Sequence, residues 1–140
     1  AKQVVALHSQ QAKQLNITLN LSVQSQQLVM IDRGQVEQVI INLLTNAIDV
    51  LKQLNNPESA KYIEVSIAQN ANQQLYLEVS DNGTGISDHV IEMIFVPFFT
   101  TKQQGSGIGL SLSRQIMLNH GGDLVYIKRQ QGACFRCVFG

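Results

Sequence analysis

Asn42 and Asn46, in the string NLLTNAIDV, stand four residues apart inside a strongly apolar-periodic segment. A helix there stacks their carboxamides one turn above the other on one face. A neutral amide oxygen is a hard ligand, suited to a magnesium ion that keeps most of its waters and binds phosphates as well; two amides on a solvated helix face would read the same way. Asp81-Asn82-Gly83-Thr84-Gly85 follows directly on an alternating segment that ends at Ser80. Glycines at alternate positions let backbone come close to a flat ring, and a carboxylate accepts hydrogen bonds from an exocyclic amine, a pairing that suits adenine. The same residues are also strong turn formers. Gly105-Ser106-Gly107-Ile108-Gly109 opens the last helix-periodic segment, where bare backbone N–H groups at the positive end of a helix dipole form a natural site for an anion such as phosphate. Just upstream, in FVPFFTTK, Lys102 can reach outer phosphates as a mobile point charge. Phe98 and Phe99 can hinge or anchor a loop there, or simply fill core.

Other phosphate and metal motifs are excluded by spacing. Leu110 stands where the third glycine of a dinucleotide fingerprint would fall, and no G-x-x-x-x-G-K-[ST] string occurs. Cys134 and Cys137 lie in the strand-like run ACFRCVF, where side chains three apart point to opposite faces. With no second cysteine pair and no histidine close by, they read as ordinary thiols rather than as a metal or disulfide pair.

These clusters need a scaffold. Val5, His8, Ala12 and Leu15 repeat at helical spacing from about Lys2 to Leu15, and Ile17, Leu19, Leu21 and Val23 alternate as a half-buried strand does. A second short strand is expected around Leu28 to Ile31. Asp32 can cap the next helix, whose broad apolar stripe is Val36, Val39, Ile40, Leu43, Ala47, Val50 and Leu51. Asn55-Asn56-Pro57 breaks it. Ile63, Val65, Ile67 and then Leu75, Leu77, Val79 read as a hairpin around the polar turn Asn70 to Gln73. From Gly83 to Gly107 the chain is irregular apart from a short helical piece that Ser87 can cap, and an ordered loop of that length suggests a lid. A last helix from about Gly107 to Asn119 stops at Gly121, and strands around Leu124 to Arg129 and Ala133 to Phe139 close the chain. Helices on one face of a mixed sheet form a two-layer sandwich, with room for a ligand between the helices beneath the long loop.

A chain of 140 residues with 44% hydrophobic content buries one substantial core, as a single domain does. Ten basic against ten acidic side chains give net charge zero, so no long-range field draws the chain to nucleic acid or to an anionic membrane. No apolar run spans a bilayer and no signal segment opens the chain. A cytoplasmic fragment of a longer protein is expected, since it begins at Ala1 without an initiator Met; the parent can still be anchored in the inner membrane.

Taken in order, NLLTNA resembles the N box, DNGTG the first glycine box, FVPFFTTK the F box and GSGIGLSL the second glycine box of the histidine kinase branch of the ATPase family that includes gyrase, Hsp90 and MutL. HGGDL before a closing hairpin is also typical of these kinases, and PFFTTK is most similar to the nitrogen-regulation type. The resemblance covers nearly the whole chain. It implies an α+β Bergerat fold, a mixed, mostly antiparallel sheet of about five strands with helices on one face, forming a single domain over 1–140 with an ATP lid at about 86–104. It further implies ATP and Mg2+ as cofactors, with Asn46 as the metal ligand, Asp81 at the adenine amino group, and Gly107, Ile108, Gly109 and Leu110 around the phosphates. Asn42, Gly83, Gly85 and Ser106 would line the nucleotide site as well, with Ile86, Thr101 and Lys102 on the lid. Asn42 and Lys102 would be the side chains of the catalytic step.

The resemblance also separates kinase from hydrolase. Where the gyrase and Hsp90 branches and the anti-sigma serine kinases carry a general-base Glu four residues before the metal-binding Asn, this chain has Asn42, and an amide cannot take a proton at neutral pH. A neutral imidazole is already a nucleophile. Phosphoryl transfer to His is therefore expected over hydrolysis, resting on positioning and charge neutralisation. The alternatives are a degenerate nucleotide-binding interaction module and a self-contained ATPase. Two departures stand out: Asp49 occupies a position where many relatives carry a phosphate-assisting Lys, and GACFRC replaces the more usual Gly-Thr-Phe. The implied partners are a histidine-bearing dimerisation domain of the same protein and a downstream response regulator, with the isolated domain monomeric and the parent a homodimer. His8, followed by Ser9 and Gln10 with no proline before the first strand, lacks the acidic residue and proline that usually follow an acceptor histidine. The chain is thus expected to bind ATP without phosphorylating itself.

Overall fold

The computed structural model describes residues 2–25, 31–53, 60–97 and 109–139. Helix α1 (Lys2–Gln14) leads through Asn16, in the left-handed region at φ 59°, into strand β1 (Ile17–Val23). The expected strand around Leu28 falls outside the described residues except for Ile31. Helix α2 (Arg33–Lys52) starts as its sequence dictates: Asp32 is extended at the N-cap, and its Oδ1 accepts the Gln35 N–H at 3.1 Å, which satisfies one of the free amides of the first turn. The breaker Asn55-Asn56-Pro57 is likewise outside the described residues. Strands β2 (Lys61–Gln69) and β3 (Leu75–Asp81) form the expected hairpin. The turn is held by Asn70, whose Oδ1 accepts from the N–H groups of Asn72 and Gln74. Helix α3 (Asp88–Ile91) is capped by Ser87, α4 (Gly109–Asn119) follows, and β4 (Asp123–Tyr126) and β5 (Cys134–Val138) complete the order.

The five strands lie in the order β1-β2-β3-β5-β4. Only β1 and β2 run parallel, joined by α2 as crossover; the other pairs are antiparallel. Period-2 alternation sends Ile63 and Val65 of β2, Leu75, Leu77 and Val79 of β3, Leu124 of β4, and Phe135 and Cys137 of β5 into one core. That core meets the apolar stripe of α2 (Val36, Val39, Ile40, Leu43, Leu44, Ala47, Ile48, Leu51) and Ile116 and Met117 of α4. Helix α4 ends as expected: Gly121 sits at φ 79°, while Gly122 N–H donates to Met117 O and Gly121 N–H to Leu118 O, both at 3.0 Å.

Strand β4 is shorter than its alternation suggests. Ile127 N–H still reaches Cys134 O at 2.8 Å, but Lys128 and Arg129 lie beyond the ladder, where they pair with Asp88 and Glu78. No helix among the described residues is long and apolar enough to cross a membrane.

Candidate nucleotide site

Asp81 owes its burial to strand period. It is the last member of the row Leu75, Leu77, Val79, Asp81, so it faces the helices at the end of β3 with only 9% of its surface exposed. Its Oδ1 accepts the Gly83 N–H at 2.9 Å and the Ala133 N–H at 3.3 Å, and its own N–H donates to Ala133 O at 2.9 Å. Burial pushes the carboxyl above its ordinary range and the two N–H donors pull it back, burial being the larger effect.

Backbone closes tightly around this acid. A Cβ on Gly83 would lie 2.7 Å from Val50 Cγ1 and 3.0 Å from Asp81 Oδ1. Gly132, at φ 78° in the turn between β4 and β5, packs its Cα against the Asp81 carbonyl so closely that a Cβ would overlap it. Gly85, at φ 76°, rests in turn against Gly132 O. Asn82 points the other way: its Oδ1 accepts from Tyr62 N–H and its Nδ2 donates to Ala60 O, fixing the start of β2.

A polar row on α2 links this loop to α4. Asn42 Nδ2 donates to Ser113 Oγ at 3.0 Å and to Gly109 O at 3.4 Å, while its Oδ1 accepts from Gln38 Nε2 at 3.0 Å. Val50, two turns on, touches Gly83. Asn46 is half-buried midway between them, about 6 Å along the axis from each at 1.5 Å per residue. Along α2, Asn46 thus lies between the contact of Asn42 with Gly109 and that of Val50 with Gly83, the glycine whose N–H bonds Asp81. Leu110 and Ile86 are half-buried against the core. Thr101, Lys102, Ser106, Gly107 and Ile108 lie outside the described residues, as do Phe98, Phe99 and the rest of the expected lid beyond Pro97.

The first part of that lid is pinned. Phe95 meets Phe135 edge-on at 6.4 Å and carries the Arg114 guanidinium over its ring at 5.1 Å. Arg114 Nε also donates to Asp123 Oδ1 at 3.0 Å. Among the described residues no three His, Cys, Asp or Glu gather to hold a metal.

Three residues around the site, Ser113, Gly132 and Ala133, escaped the sequence reading. Ser113 is fully buried on α4; its spacing of three and four from Ile116 and Met117 placed it on the core face and was the available signal. Gly132 and Ala133 had no signal beyond a turn glycine, since their contacts with Asp81 are made across 51 and 52 residues. His120 ties α4 to the start of α2, its Nε2 accepting Asp32 N–H at 3.0 Å and its Nδ1 donating to Ile116 O at 2.8 Å. His8 pairs through Nδ1 with Val4 O within its own helix. The cysteines face opposite ways as expected: Cys137 lies in the core with its thiol pushed up to about 12 by burial, and Cys134 lies beside Arg129 with its thiol pushed up to about 11, again chiefly by burial.

The sequence pattern of the histidine kinase-, DNA gyrase B- and HSP90-like ATPases matches residues 31–139, the whole of this site included. The chain belongs to that family. Within it, this ATPase domain corresponds to the catalytic domain of sensor histidine kinases. It is 39% identical over 127 residues to the sensor protein FixL of Bradyrhizobium diazoefficiens, covering 89% of this chain and 24% of FixL. It is 46% identical over 114 residues to the two-component sensor PprA of Pseudomonas aeruginosa, covering 76% of this chain and 12% of PprA. The domain thus spans about a quarter or less of these curated relatives. The catalytic domain of the histidine kinase ThkA superposes with a TM-score of 0.84 at 31% identity, covering 99% of this chain and 88% of that one. A structure of ThkA with the response regulator protein TrrA matches at a TM-score of 0.79 and 28% identity, over 99% and 38% of the two chains. The open five-stranded sheet with helices is the fold of these domains, and the family nucleotide is ATP.

Proposed function

We propose that this domain holds Mg·ATP between α2 and α4 and donates its γ-phosphoryl group to a histidine on a separate dimerisation domain of the same protein. The observation that carries the reading is the row Asn42, Asn46 and Val50 on α2, which meets the first turn of α4 at Asn42 and the Gly83 loop at Val50, with Asn46 midway. Asp81 would accept from the adenine amino group through Oδ2, since Oδ1 is committed to Gly83 and Ala133. Gly83 and Gly85 keep the loop low enough for a ring to lie on it. The N-terminus of α4, with Ser106 to Leu110, would take the phosphates, and Thr101 and Lys102 would close from the lid. Magnesium, held by Asn46, would neutralise the phosphate charge that grows in the transition state.

The chain's own contribution is orientation and charge rather than proton removal. Asn42 has both polar groups engaged inside the protein and cannot act as a base. That suits an imidazole acceptor and disfavours water. The parent protein, by this reading, is a homodimer working in the cytoplasm with a response regulator downstream, and PFFTTK supports a nitrogen-regulation type of kinase.

The test supplies a dimerisation hairpin bearing its histidine, in cis or in trans, with γ-labelled ATP. Label should appear on the hairpin histidine and none on the 140-residue chain alone, and Asn46→Ala should cut transfer at least tenfold. Stable label on His8, or steady ATP turnover by the chain alone, would contradict the assignment.

A further inference from the structure

Ser113 and Asp81 are the two buried polar side chains among the described residues, and Ser113 is the more deeply buried, with none of its surface exposed. A hydroxyl removed from water is retained only where it bonds. Ser113 Oγ accepts from Asn42 Nδ2 at 3.0 Å, and the same amide reaches Gly109 O at 3.4 Å, one turn nearer the start of α4. A carbonyl oxygen can only accept, so Gly109 fixes which end of the Asn42 amide is nitrogen. Gln38 Nε2 donates to the Asn42 Oδ1 that this leaves at the other end.

We infer that Ser113 is a positioning residue, which locks the Asn42 carboxamide as a strap between α2 and the first turn of α4 and so sets the distance between Asn46 and the phosphate-binding N–H groups. The inference rests on the nucleotide reading above. The strap lies at the phosphate end of the site, away from Asp81. Its loss lets α4 shift against α2, loosening the phosphates and the ion while leaving the adenine contact intact. Space is not what it protects, since a Cβ on Gly109 would lie an ordinary 3.9 Å from Asn42 Cγ.

Titration of the 140-residue chain with adenosine and, separately, with ATP plus magnesium tests this. Ser113→Ala should weaken ATP with magnesium about fivefold, the weight of one net hydrogen bond, and leave adenosine within twofold of the parent; Ser113→Thr, which keeps the hydroxyl, should restore the parent value. Because a threonine methyl must fit a buried position, a second measure uses Asn42→Ala. With that strap already cut, adding Ser113→Ala should weaken binding no further. Equal weakening of both ligands, parent-like ATP binding in Ser113→Ala, or additive losses in the double variant would each overturn the inference. A parent chain that takes up neither ligand would overturn the nucleotide reading itself.

Discussion

Replacing Asp81 by Asn should separate stability from function. In the parent, Oδ1 accepts from Gly83 N–H and Ala133 N–H in a site with 9% exposure. An asparagine keeps that oxygen and both bonds and removes a buried negative charge. Its Nδ2 then stands where Oδ2 stood, a donor facing the donor amine of adenine. The lost charged hydrogen bond is worth about 1.5–3 kcal/mol, a weakening of ATP binding of about 10- to 150-fold. The fold should be as stable as the parent or more so. The sign with pH follows from the raised carboxyl pKa. As pH rises from its ordinary value of 3.8 to the raised folded value, the unfolded chain loses this proton first, so the Asp81 contribution to the unfolding free energy falls and then stays level. Asp81→Asn should lack that fall. Asp81→Ala, by contrast, orphans both N–H groups and should cost about 2 kcal/mol or more. Urea unfolding at several pH values, beside calorimetric titration with ATP, reads all of this. An asparagine variant that binds ATP within twofold of the parent, or that is less stable by more than about 1 kcal/mol, would refute the reasoning.

Two further outcomes follow from the packing. Gly132→Ala places a Cβ against the Asp81 carbonyl at a left-handed φ of 78°, so it should destabilise by about 2 kcal/mol or more and weaken ATP, as urea midpoints and titration would reveal; a neutral substitution would mean that the turn does not press on β3. The thiols of Cys134 and Cys137, held up to about 11 and about 12 in buried positions, should resist alkylation at pH 8 in the folded chain and react fully in denaturant, which mass spectrometry can follow.

What could be read from sequence was whatever is local in period. The capping carboxylate of Asp32, the stripe of α2, the hairpin about Asn70 and the stop at Gly121 are all fixed by residues within a turn or a strand of one another. The alternation from Leu75 was read only as far as Ser80, whereas β3 runs one residue further and turns Asp81 inward. Contacts made across the chain were not legible. The strap from Asn42 to Ser113 spans 71 residues and the clasp of Ala133 on Asp81 spans 52, and neither leaves a periodic trace. Nor were the partners of Lys128 and Arg129 beyond the short β4 legible, since they lie 40 and 51 residues away.

Backbone amide shifts of the chain, recorded while a non-hydrolysable ATP analogue is added with and without magnesium, probe the shared pocket most directly. Saturable shifts should gather at Gly83, Gly85, Ala133, Asn46 and Gly109 together, with the Asn46 and Gly109 responses strengthened by magnesium. Shifts confined to one of these segments, or scattered over the outer face of the sheet, would contradict a single nucleotide lying between α2 and α4.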